Sequence, residues 1–152
     1  MVGLITAGAD VSQIANATIR AADKAFSFVL NDEGFTEAVW LMTQLAIAAK
    51  KDNFNDHLQS VGINLPQDTS LPDVAAAVAE AMDRKLESNG SRSDLGEMSQ
   101  RALVGALVEH ISPKLPSLFT PDASDVQAAL ASLGKKREFG ELSRTFFAKL
   151  TN

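Results

Sequence analysis

Phe35–Lys50 reads FTEAVWLMTQLAIAAK. Ten of the twelve residues from Ala38 to Ala49 are apolar, and Thr43 and Gln44 are the only interruptions. A helix that is apolar nearly all round has to be covered on most of its sides. Residues 35–50, with the sole tryptophan Trp40, are therefore expected to form a central buried helix on which the other elements are laid. No strand-like alternation of useful length and no internal repeat occurs on either side of it. The expected fold is all-α, a single compact bundle of about six or seven helices around that centre.

Upstream, Asp10-Val-Ser-Gln13 resembles a capping box that opens a first helix. Ala15, Ile19, Ala22, Phe26 and Val29 or Leu30 recur along it at helical spacing, and its alanines permit close approach to a neighbour. Asn31-Asp32-Glu33-Gly34 reads as the turn into the central helix.

Downstream, Asp52 is placed to cap a short helix carrying Phe54, Leu58 and Val61. With Gly62 as a left-handed residue past its end, Leu58 and Ile63 occupy the two positions whose side chains touch in a Schellman motif. Ser70-Leu-Pro-Asp73 is a second capping box, and Val74, Val78, Met82 or Ala81, and Leu86 mark the inward face behind it. Ser91 or Ser93 starts the next helix, which Pro113 ends. Leu103, Val104, Leu107, Val108 and Ile111 give that helix a wide apolar face, and Gly105 within it predicts a close helix contact.

Residues 112–121, SPKLPSLFTP, are punctuated by proline yet carry Leu115, Leu118 and Phe119, which must either lid the bundle or meet a partner. Thr120-Pro121 opens another helix that Gly134 stops. A final helix from Arg137 sets Phe139, Leu142, Phe146 and Leu150 on one stripe. It is still apolar near Asn152, as a fragment of a longer chain would be.

At 152 residues the chain is read as one helical domain, 1–152, and a domain of this size buries about 70% of its unfolded surface. It contains no cysteine, which excludes disulfides, thiolate zinc sites and a cysteine nucleophile and fits a reducing, cytoplasmic setting. Its first residues lack the basic start of a secretory signal. The central apolar run is far short of the ~20 residues a membrane span needs.

Catalytic chemistry has little to work with. There are two histidines and no tyrosine. His57, among Asp52, Asn55 and Asp56, reads as a solvated side chain on the short helix. His110, before Pro113, suits the negative end of its helix. The carboxylate pairs Asp94/Glu97 and Asp122/Asp125 fall at helix starts, where acids are stabilised by the helix dipole. The HExxH, EF-hand, Walker, GxSxG and GxGxxG patterns are absent. No enzyme activity, cofactor or metal is expected.

Two surfaces remain. Residues 125–150 could form a helix-turn-helix-like hairpin presenting Lys135, Lys136, Arg137 and Arg144 to DNA, which would make the chain a small regulator. The net charge of −5 and the carboxylates of Glu138 and Glu141 oppose phosphate binding, so nucleic acid is the alternative reading. The leading one is a non-catalytic regulatory module that binds another protein or itself. Phe147 lies about 80° off the centre of the last helix's stripe at the helical pitch. With Leu118, Phe119 and Leu150 it forms the expected partner-binding set, since aromatic residues are favoured in interface centres.

Overall fold

The structure, a computed structural model, describes residues 11–88, 93–116 and 123–151. Every regular element among them is helical: α1 (Val11–Leu30), α2 (Glu33–Ala49), α3 (Phe54–Ser60), α4 (Leu71–Ser88), α5 (Asp94–Ile111), α6 (Ala123–Ala131) and α7 (Lys136–Thr151). Two 3-10 turns, Ser112–Lys114 and Ser132–Gly134, follow α5 and α6. The all-α class expected above is the one found. No helix among the described residues is long and apolar enough to cross a membrane.

The chain divides into two compact units, Met1–Asp32 and Glu33–Asn152. Within the first unit the described element is α1 alone, and Ile19, Phe28 and Leu30 on it are exposed. Among the described residues of this unit no second element offers a surface on which the helix could bury an apolar face.

In the second unit α2 is the centre, as its composition predicts. It packs against α3, α4, α5, α6 and the turn that follows α6. Gly34, Phe35, Ala38, Leu41, Met42, Leu45 and Ala48 are its buried residues. Burial all round, however, is not what the structure has. Trp40 is 42% exposed and Ile47 38%, and being seven residues apart they share one outward stripe. The expectation that Trp40 sits in the core is corrected accordingly. An apolar run this dense leaves the choice of outer face to the neighbours, and these put the indole outside.

The helix ends follow local chemistry. Gly62 has φ 93°, Ile63 N–H donates to the Leu58 carbonyl at 2.9 Å, and Gly62 N–H donates to that of Gln59 at 3.1 Å. This is the Schellman pairing, and Leu58 and Ile63 are both buried beside it. At the start of α4, Ser70 N–H donates to Asp73 Oδ2 at 2.9 Å and Asp73 N–H to Ser70 Oγ at 3.3 Å. The bond from the Ser70 backbone, and then that from its side chain, hold the Asp73 carboxyl below its usual range. Ser93 Oγ accepts from Gly96 N–H at 2.8 Å and caps α5. Asp52 does not cap α3, which begins after Asn53 with no side-chain cap bond. The caps proposed at Asp10 and Thr120 lie outside the described residues.

Two of the unit's close approaches involve α5. At Gly96 an added Cβ would stand 3.4 Å from the Cα of Gly34 and 3.0 Å from Ser93 Oγ, so α2 and α5 meet there almost backbone to backbone. At Gly105 it would stand 3.3 Å from Cδ of Lys149, the close contact that glycine predicted, here between α5 and the stem of a lysine on α7. Leu142, Phe146 and Leu150 are the buried residues of α7. This helix packs chiefly on α5.

Candidate functional site

The buried stripe of α7 determines what the helix turns outward. Phe147 follows Phe146 by one residue, roughly 100° around the helix. It is 46% exposed, whereas Phe146 is fully buried. Its ring centroid lies 6.1 Å from that of Phe35 and 5.2 Å, edge to face, from that of Phe146. The ring is therefore held at its inner edge and open at its outer one.

Of the other residues expected at a partner surface, Leu150 is buried. It stands one turn beyond Phe146 on the same stripe and belongs to the core, which corrects its assignment to the surface. Leu118 and Phe119 lie outside the described residues.

Lys135, Lys136, Arg137 and Arg144 are all exposed. Arg137 Nε stands 3.4 Å from Glu141 Oε1. Lys135, Lys136 and Arg144 have no ion pair among the described residues. The hairpin of the DNA reading would stack α6 on α7, but the main neighbour of α7 is α5.

Gly140 lies on the same outer side as Phe147. An added Cβ there would meet nothing within 4 Å. A glycine inside a helix is less favourable than alanine by about 1 kcal/mol. Unlike Gly96 and Gly105, Gly140 has no close neighbour among the described residues that calls for it.

A second cluster joins the end of α5 to the start of α7. The His110 side chain is 7% exposed, and its Nε2 stands 2.9 Å from Glu138 Oε2. Lys114 Nζ stands 2.9 Å from the same oxygen. The Lys114 ammonium, with a smaller part from His110, holds the Glu138 carboxyl below its usual range although partial burial pushes it up. His110, Glu138 and Glu141 could offer ligand atoms within 4.8 Å of one another. Yet Lys114 already stands against Glu138 and Arg137 against Glu141, so the chain's own cations answer both carboxylates. The donor set fits an interhelix ion-pair network better than a metal site. Beside it is an open groove of about 450 Å³ lined by Glu109, His110, Pro113, Lys114, Glu141, Arg144 and Thr145.

His110 stands in the last turn of α5 as the sequence reading has it, and the pairing with Glu138 is an addition to that role. The one available signal of that pairing was that His110 ends one helix while Glu138 starts another, since antiparallel neighbours bring such ends together. His57 is also tied down instead of solvated. Its Nε2 stands 2.9 Å from Gln44 Oε1 and its Nδ1 3.2 Å from Lys51 Nζ. An imidazole with its proton on Nε2 donates to the first and accepts from the second. Asp94 and Glu97 occupy the first turn of α5, and Asp125 that of α6, as expected of helix-start acids.

A pH test follows for Glu138. A carboxyl held below its ordinary value of 4.5 contributes stability that is present above that value and lost as pH falls through the lower, folded one. Glu138→Gln should therefore melt below the wild type near neutral pH, with the gap closing as pH drops beneath 4.5. Thermal melts followed by circular dichroism across that range measure it, and a gap that is constant with pH would mean Glu138 contributes no charge interaction.

No protein-family model, no curated protein and no solved structure matches the chain.

Proposed function

We propose that the chain is a non-catalytic protein–protein interaction module whose contact face is the outer side of α7 around Phe147. The observation that carries this reading is a phenylalanine nearly half exposed yet seated against Phe35 and Phe146. A ring positioned in advance loses little freedom on binding, and aromatic anchors in interface centres supply much of the binding energy. The absence of cysteine fits work in a reducing compartment such as the cytoplasm.

The test compares two neighbours. Phe147→Asp should cost roughly 1–1.5 kcal/mol, because about half of the residue is already in water. It should abolish self-association, read by sedimentation equilibrium, or capture of a cross-linked partner chain. A melting temperature that falls as far as for Phe146→Asp would place Phe147 in the core and end this reading. Duplex DNA binding near physiological salt that disappears in a Lys135/Lys136/Arg137→Ala variant would transfer the function to the nucleic-acid alternative.

A further inference from the structure

We infer that the occupant of the α7 face is an acidic amphipathic helix of another protein, an inference that rests on the interaction reading above. Lys136, Gly140, Ser143 and Phe147 follow one another at spacings of four, three and four, so they form one line along the helix. Three properties of that line define what fits it.

The first is shape. At Gly96 and Gly105 an added Cβ would meet a neighbour within 3.4 Å, and each marks a close approach inside the unit. At Gly140 it would meet none within 4 Å among the described residues, so the backbone is bare beside a protruding ring. A bare helical backbone next to an aromatic ridge admits a second helix at short interaxial distance, with apolar side chains at i, i+3 or i+4, and i+7 closing over the ring.

The second property is charge. Lys136 stands toward one end of the line and Arg144 beside Phe147, both exposed and both without an ion pair among the described residues. The acids of this helix are used elsewhere, Glu138 against Lys114 and His110, and Glu141 against Arg137. The face is therefore positive on a chain whose net charge is −5, and it selects a partner with carboxylates flanking its apolar residues.

The third property disfavours α1 or α7 of a second copy as the occupant. The amphipathic α1 carries Arg20 and Lys24 against Asp23, a net charge of +1, and α7 itself presents the same cations. Either would bring like charge onto Lys136 and Arg144.

A random library of 16-residue peptides displayed on phage and selected against the immobilised full chain tests this, with the Gly140→Leu variant as counter-target. Such a peptide, as a helix, spans roughly 24 Å and covers the whole line. The expected selection is enriched in Asp and Glu around apolar residues at helical spacing. A synthetic representative should bind at least tenfold more weakly to Gly140→Leu and to Lys136→Glu/Arg144→Glu, two variants whose melts should stay at or above that of the wild type. No enrichment, neutral or basic selected sequences, or equal binding to both variants would overturn the inference. Peptides without acidic bias that still lose binding in Phe147→Asp would overturn the partner chemistry and leave the interaction face standing. Peptides indifferent to Phe147→Asp as well would overturn both.

Discussion

Phe146→Ala is expected to lower stability by about 3–5 kcal/mol and the melting temperature by roughly 10–20 °C. Phe146 is fully buried and heads the largest side chains of the core. Its ring stacks on that of Phe35 at 6.2 Å and supports the edge of Phe147 at 5.2 Å. It lies midway along the Leu142–Leu150 stripe by which α7 sits in the bundle. Truncation removes the transfer free energy of a ring and leaves a cavity between rigid helices, which cannot collapse to fill it. Denaturant melts of Phe146→Ala beside Phe147→Ala give the contrast. Equal losses would mean that the two rings are equally buried, and the outer face of α7 would then offer no anchor.

Gly96→Leu is expected to cost about 2–4 kcal/mol, the sum of overpacking and a lost cap. The new Cβ would stand 3.0 Å from the Ser93 oxygen that caps α5 and 3.4 Å from the backbone of Gly34 on α2. The rest of the side chain has to push α2 away from α5, and these two helices form a major contact of the unit. The same substitution at Gly140, where nothing stands within 4 Å, should raise stability by about 1 kcal/mol through helix propensity alone. Opposite signs for one chemical change are the expected result of urea titrations. A loss at Gly140 as large as at Gly96 would reveal a neighbour there and remove the bare surface on which the partner reading depends.

Much of the local structure was written in the residues themselves. The Gly62 Schellman ending, the Ser70/Asp73 box and the Ser93 cap each close hydrogen bonds between residues at most five apart. Nothing beyond the segment is required to form them, so composition and spacing suffice. The same holds for the all-α class and for α2 as the centre, because so apolar a helix needs neighbours over most of its surface.

Where residues distant in sequence compete for one surface, spacing stops deciding. Ten apolar residues in twelve give α2 no preferred side, and only the packing of α3, α4, α5 and α6 around it leaves Trp40 and Ile47 outside. Leu150 belongs by spacing to the apolar stripe and by position near the chain end to a partner surface, and the line of contact with α5 takes it inward while Phe147, off the stripe, stays at the edge. The joining of His110 to Glu138 and Lys114 likewise exists only because α5 and α7 pack together. Local hydrogen bonds are determined by neighbours along the chain, whereas the face a helix turns to water is determined by which other helices reach it first.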